Sequence, residues 1–242
     1  MKAEIRYLYN SGFTLKTDRH LFIFDYYLDS PKGCGPDKGV IDPEEITDLN
    51  VVVFVSHSHP DHYSPRIFSW RKTVGQIRYV LSDDIKTSED VIKVSPGSEY
   101  NFGDFRVRTL ESTDIGVAFV IMADGLCIYH AGDLNDWYWD GEPDEDNREM
   151  TRRYREQIDL LKNEDIDVAF VPVDPRLEEN YLRGLDYFMK TVGAELVVPM
   201  HFSDNTSIFE ELKSDRRADS YRDKIAFYSQ RGDVIPYPKS ES

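Results

Sequence analysis

Short apolar runs broken by turn residues open the chain. Glu4–Tyr9, Gly12–Thr17 and Leu21–Tyr27 are rich in aromatic and β-branched side chains, and Asn10-Ser11-Gly12 and Thr17-Asp18-Arg19 separate them. This pattern predicts a meander of three strands. Ser30–Pro43 crowds prolines and glycines around Cys34 and reads as a loop. Asn50–Ser56 then carries an unbroken Val-Val-Val-Phe-Val run, which suits a strand covered on both faces.

A short helix is expected after Pro65 and a strand at Ile77–Leu81. A second strand-rich block follows: Val91–Val94, Glu99–Phe102, Phe105–Leu110, Val117–Met122 and Leu126–Tyr129, divided by turn signals such as Pro96-Gly97 and Asp124-Gly125. Asp136–Asn147 reads as a loop. Arg148–Asn163 reads as a helix, with Met150, Tyr154, Ile158 and Leu161 on one face. The remainder predicts a buried strand at Val168–Val173, a helix over Leu177–Val192 and a strand at Leu196–Pro199. A helix near Ser207–Leu212 and closing strands at Ile225–Ser229 and Asp233–Pro236 end the pattern. Two strand-rich halves, each followed by helices and with no Pro- or Ser-rich linker, suit sheet packed on sheet with helices outside. The 242 residues are read as one domain spanning 1–242.

Charge narrows the partners. The formal net charge is -16. That argues against nucleic acid held by a broad basic surface. It leaves room for a small anionic ligand, because bound cations reverse the local field. Cys34 and Cys127 lie far apart and read as reduced thiols rather than a disulfide framework. The first residues lack the apolar core of a signal peptide, and no run reaches the length of a membrane span. The expectation is a cytoplasmic protein with a small-molecule substrate and no membrane partner.

The chemistry concentrates at His57-Ser58-His59-Pro60-Asp61-His62, directly after the buried Val-rich strand. On an extended segment His57 and His59 point the same way. Pro60 breaks the strand, and the turn can aim Asp61 and His62 at a neighbouring point. Imidazole and carboxylate suit zinc, manganese and iron. A buried strand that delivers four such side chains into one loop argues for a metal.

His57-x-His59-x-Asp61-His62 after a buried strand resembles the signature of the metallo-β-lactamase superfamily. The resemblance implies an α+β, four-layer αββα sandwich with a two-metal site at one edge. It implies that His57 and His59 bind one metal and that Asp61 and His62 bind the second. Ile128-Tyr129-His130-Ala131-Gly132-Asp133 is similar to the family's strand ending in Gly-Asp, whose aspartate bridges the metals, here Asp133. Pro199-Met200-His201 matches the last histidine ligand of the second metal, here His201.

The pattern departs from the family at one point. The family's third histidine for the first metal is missing from Glu111-Ser112-Thr113-Asp114-Ile115-Gly116. Ser112 stands near its usual position, and Asp114 is the nearest residue with a good ligand atom, or else a turn residue. Ser-Thr-Asp before an apolar strand also resembles predicted hydrolases of the ascorbate-6-phosphate lactonase-like branch. A carboxylate in place of an imidazole shifts preference toward manganese or iron.

Asp25 ends its strand, as a plain strand-end residue or as the partner that fixes a ligand imidazole's tautomer. His130 could donate to substrate or sit buried behind the ligands. Trp137, Tyr138 and Trp139 could wall a substrate pocket, with Trp137 and Trp139 as its binding residues, or anchor the loop. His20 is expected to be an exposed turn residue.

The implied activity is hydrolysis of a small ester, lactone or phosphodiester by a metal-bound hydroxide. The cofactors are two divalent ions, zinc first and manganese or iron(II) as alternatives. Asp61 and Asp133 are the candidate catalytic carboxylates. Two alternatives stand beside it. One is a metal-binding protein whose incomplete first site supports no hydrolysis, and the other is a nuclease, which the charge opposes.

Overall fold

The strands of the described residues divide between two sheets. In the computed structural model, which describes residues 1–31 and 34–238, the first sheet is built on the expected meander, β1 (Ala3–Tyr9), β2 (Gly12–Lys16) and β3 (Leu21–Phe24). β4 (Val51–Val55), β5 (Ile77–Ser82) and β6 (Ile92–Val94) continue it parallel to β3. In the second sheet β7 (Glu99–Asn101), β8 (Phe105–Glu111), β9 (Val117–Ala123) and β10 (Leu126–His130) run antiparallel in sequence order. β11 (Val168–Pro172) and β12 (Leu196–Met200) then add parallel to β10. β13 (Val234–Tyr237) returns to the first sheet beside β1.

The apolar faces explain the layering. Phe13, Phe24 and Phe54 of the first sheet meet Phe119 and Phe170 of the second, with Phe13–Phe170 and Phe54–Phe119 centroids 4.8 and 5.0 Å apart. Each such ring contributes about 1.5–3 kcal/mol by leaving water. The β4 run is buried on both faces because Val51, Val53 and Val55 turn outward, under Ile67 and Trp70. These two come from a 3-10 segment, Pro65–Lys72, where a short helix is expected. On the far side, α1 (Asp144–Asp159) and α2 (Arg183–Thr191) cover the second sheet through Tyr154, Ile158, Leu185 and Phe188. The result is the expected four-layer sandwich. Among the described residues no helix is long and apolar enough to cross a membrane.

Several boundaries differ from the sequence expectations. α1 starts at Asp144, inside the stretch read as a loop. Pro143 precedes it, and Asp144, Glu145 and Asp146 face the positive end of its dipole. The helix expected over Leu177–Val192 is split: a 3-10 turn, Pro175–Asn180, contains Glu178 at φ 50°, and α2 begins only at Arg183. The third strand stops at Phe24 rather than Tyr27, because Asp25 adopts φ 42°. The strand expected at Ile225–Ser229 reduces to one bridge, Ile225 to Val197. Positions 32 and 33 of the Ser30–Pro43 loop, and 239–242 at the end of the expected domain, lie outside the described residues.

The topology also decides where chemistry gathers. Parallel neighbours end at the same edge of a sheet. The carboxyl ends of β3 and β4, and those of β10, β11 and β12, therefore open onto one rim of the sandwich. The β1–β2 and β8–β9 turns reach the same rim.

Candidate metal centre

The strand ends deliver the ligand-type side chains to that rim. Asp25 follows β3, the His57–His62 turn follows β4, Asp114 sits in the β8–β9 turn, and Asp133 and His201 follow β10 and β12. His57, His59, Asp114 and Asp133 offer ligand atoms that lie within 4.8 Å of one another, and so do Asp61, His62 and His201. Asp133 belongs to both groups by its geometry. Its Oδ2 is 3.4 Å from His57 Nε2, while its Oδ1 is 3.2 and 3.4 Å from the Nε2 atoms of His62 and His201. Asp61 Oδ2 lies 3.7 and 3.8 Å from the same two nitrogens, and His59 Nδ1 is 3.2 Å from Asp114 Oδ2. Two atoms each ~2.1 Å from one cation at a tetrahedral angle stand about 3.4 Å apart. The spacing fits ligands around a pair of ions.

The hydrogen bonds give the same answer. His57 Nε2, His62 Nε2 and Asp133 Oδ1 are buried without a hydrogen-bond partner among the described residues. Three such buried atoms would cost several kcal/mol unless ions satisfied them. The opposite ring nitrogens are anchored. His62 Nδ1 donates to Asp25 Oδ2 at 2.8 Å. His57 Nδ1 donates to Ser56 Oγ at 2.9 Å, and that hydroxyl donates to the same Asp25 oxygen at 2.7 Å. His201 Nδ1 donates to Asp174 Oδ2 at 3.0 Å. These bonds turn each Nε2 lone pair toward the centre and raise its basicity.

The protein field is strong here even without a cation. Burial alone would depress the His62 imidazole, but the Asp133 and Asp25 carboxylates outweigh it and hold it well above its ordinary value. Burial would likewise raise Asp133, and the facing histidines hold it well below the usual carboxylate range. Asp174 is buried too, yet His201 and Arg176 bring it to about 2.

Backbone strain accompanies the site. Asn10, Asp25 and His201 all adopt positive φ, at 53°, 42° and 67°. Each such non-glycine residue costs on the order of 1–3 kcal/mol. Asn10 is tied down on every side. Its N–H donates to Tyr7 Oη, its carbonyl accepts from His201 N, and its amide joins Ser203 N to Asp61 Oδ2 at 3.2 Å each. At Gly116, φ is 74° and a Cβ would fall 2.1 Å from Ser56 O and 2.6 Å from His57 Cβ. The Asp114 turn can lie against the histidine turn only because that atom is missing.

Of the two roles weighed for the tryptophans, the structure shows the anchoring of the loop. The Trp137 indole N–H donates to Asp133 O at 2.9 Å, which anchors the loop, and its ring meets His201 edge-on at 5.3 Å. Trp139 stacks on Trp137 at 6.3 Å and is half-buried beside it.

Two histidine expectations are corrected. His130 does not face the rim. It is fully buried, stacked on Phe24 at 4.8 Å, with Nε2 donating to Ser11 O and Nδ1 accepting from Gly132 N. Burial lowers its pKa, and both nitrogens are spent on backbone, so it has nothing left for a substrate. His20, expected exposed, is buried between Asp124 and Asp104 at 2.7 and 2.9 Å, at the opposite end of the sandwich. The residues that sequence reasoning missed are Ser56, Asn10, Asp174 and Arg176. Only Asp174 carried a signal: it follows a buried strand much as Asp25 does.

Comparisons with known proteins agree with this fold. Over 228 residues the chain is 25% identical to a UPF0173 metal-dependent hydrolase from Opitutus terrae, covering 85% of this chain and 87% of that protein. Igni18, a metallo hydrolase from Ignicoccus hospitalis, superposes with a TM-score of 0.67 at 16% identity, over 99% of this chain and 100% of its own. A Parabacteroides distasonis structure described as a metal-dependent hydrolase gives 0.65 at 16% identity, over 95% and 94%. At these identities the structures establish the shared fold. The model of the beta-lactamase superfamily domain matches residues 4–138, more than half of the chain, and the chain belongs to that family.

Proposed function

We propose that this protein is a metal-dependent hydrolase that cleaves a small ester, lactone or phosphodiester with two divalent cations. The observation that carries this is that His57 Nε2, His62 Nε2 and Asp133 Oδ1 are buried without a hydrogen-bond partner among the described residues, inside two neighbouring clusters of ligand atoms that Asp133 joins. His57, His59, Asp114 and Asp133 would hold the first cation, and Asp61, His62, Asp133 and His201 the second. The names of the relatives support hydrolysis, and the turn Ser112-Thr113-Asp114 supports keeping lactones among the substrates. Zinc is the leading cation. Three aspartates in the set keep manganese and iron(II) as harder alternatives.

Two bound cations would supply an acidified water and polarise the oxygen of the bond under attack. The chain's own residues do the rest. Asn10 holds Asp61 Oδ2, which leaves Oδ1 of this half-exposed carboxylate to take a proton from the attacking water. Asp25 and Asp174 keep the imidazoles in one tautomer. Trp137 and Trp139 exclude water beside His201. The net charge of -16 supports a small substrate over nucleic acid, and the two well-separated cysteines support a cytoplasmic setting.

The test is elemental analysis of protein purified without added metal, followed by turnover of small esters, lactones and phosphodiesters. Two ions per chain are expected in the wild type and one in Asp114→Ala. Turnover is expected to depend on metal and to vanish in Asp61→Ala. Two ions without turnover of any substrate in the panel would leave a metal-binding protein. One ion in the wild type would remove the first site from the mechanism.

A further inference from the structure

The rim of the site is acidic, with Asp61, Asp114, Asp133 and Asp174 close together, and the arginines around it are differently employed. Arg231 spends its guanidinium on the carbonyls of Leu8, Leu28, Ser30 and Gly39. Arg183 is committed to Asp136 and Thr151. Arg176 differs. It follows β11 and grips Asp174 through Nε and Nη2, the same carboxylate that anchors His201. Nη1 has no hydrogen-bond partner among the described residues, and the side chain is 65% exposed. The guanidinium lies over Trp139, 5.8 Å from the ring centroid, and its charge is felt at Asp61 and Asp133.

We infer that Arg176 is the seat for an oxyanion, carboxylate or phosphate, that the substrate carries away from the bond to be cut. This rests on the two-cation hydrolytic site proposed above. Asp174 fixes one edge of the planar fork, so the guanidinium is already oriented when a ligand arrives, and Nη1 keeps its N–H groups free for it. Trp139 supplies a flat wall beneath it. The arrangement selects substrates with two polar ends: a scissile ester, lactone or phosphodiester at the cations and a second anion on Arg176. Neutral esters would use only half of the site.

The test uses zinc-loaded protein and three hydroxamates, measured by calorimetry, so it needs no turnover. Acetohydroxamate can grip the cations alone. The monohydroxamates of succinate and glutarate add a carboxylate at two lengths. One charge-assisted bond gives about a tenfold preference. At least one dicarboxylic hydroxamate is therefore expected to bind the wild type about tenfold tighter than acetohydroxamate. Arg176→Gln, loaded at saturating zinc, should abolish that preference, read as the ratio of dicarboxylic hydroxamate to acetohydroxamate affinity in the same protein. If the Gln variant loses zinc through Asp174, Arg176→Lys decides instead: the charge remains, so part of the preference should remain. Equal binding of all three probes by the wild type would overturn the seat, and so would a preference that survives in Arg176→Gln. If acetohydroxamate itself fails to bind the wild type, the cation centre fails first and the seat with it.

Discussion

Both ends of the sandwich bury histidine among aspartates, and they use it differently. At the start of β3, His20 is held by Asp124 at 2.7 Å and Asp104 at 2.9 Å, the latter also gripped by Arg78. Both ring nitrogens are matched. At the other end of the same strands, His57 and His62 are matched on one nitrogen only, and their Nε2 atoms face one another's neighbours without a partner. The same residue types make a brace at one end and a candidate ion site at the other. What separates them is the matching of the ring nitrogens: an imidazole bonded at both braces the fold, while one with a bare nitrogen can take a ligand.

The comparison breaks most sharply at Asp133, which faces both halves of the site. Asp133→Ala should lose both cations and all metal-dependent turnover. At a free cation concentration a hundred times its dissociation constant, each ion contributes about 2.7 kcal/mol. Elemental analysis and melting curves check this, and a variant that kept both ions would remove the bridge.

His20→Ala tests the other end. It removes one bond from each of two aspartates, which keep Arg78 and Thr17 as partners, and opens a cavity, and should cost about 3 kcal/mol, or about 6–12 °C in melting temperature for a chain of this size. The loss should be the same with and without chelator, and metal content should not change. A drop seen only in loaded protein would tie His20 to the metals.

Asp174→Asn is a finer probe. It keeps the shape but weakens the anchor on His201, so affinity for the second cation should fall about 10–100-fold. Competition with a chromogenic chelator measures it, and unchanged affinity would make Asp174 a mere neighbour.

The smallest effect is in pH. A raised His62 pKa stabilises the metal-free fold fully below its unfolded value of about 6.5, and this contribution is lost as pH rises through the folded value. The depressed Asp133 contributes above its unfolded pKa and loses that contribution as pH falls through the folded one. A cation displaces the His62 proton, so loading gains from higher pH. Melting curves from about pH 6 to 9 should show the gap between loaded and chelated protein widening. A gap that narrowed would contradict the ligand role of His62.

Much of this was legible in the sequence, because local pattern carried it. The meander, the Val-rich β4 and the histidine turn follow from side-chain period and from residues adjacent in the chain. Asp114 was reached by position and lies beside His59. The rest depends on pairings that no window of sequence contains. His20 meets Asp104 and Asp124, 84 and 104 positions away. His130 looked functional beside Gly-Asp, but the second sheet folds it inward onto Phe24. The 3-10 turn at Pro175 reads as helix from apolar spacing, although Glu178 breaks it with a positive φ.

The shared Asp133 has a consequence for how the protein fills. One carboxylate lends an oxygen to each side, so two ions bound there would not load as strangers. The His62–His201 side pairs two enclosed, anchored imidazoles with a half-exposed Asp61, whereas on the other side both His59 and Asp114 are about as exposed, at 44% and 40%. The enclosed side should load first and lock the carboxylate in place. The second ion then finds one ligand already set, yet must approach a positive neighbour. A titration should therefore be biphasic, and at limiting metal the population should be mainly singly loaded protein rather than a mixture of empty and full.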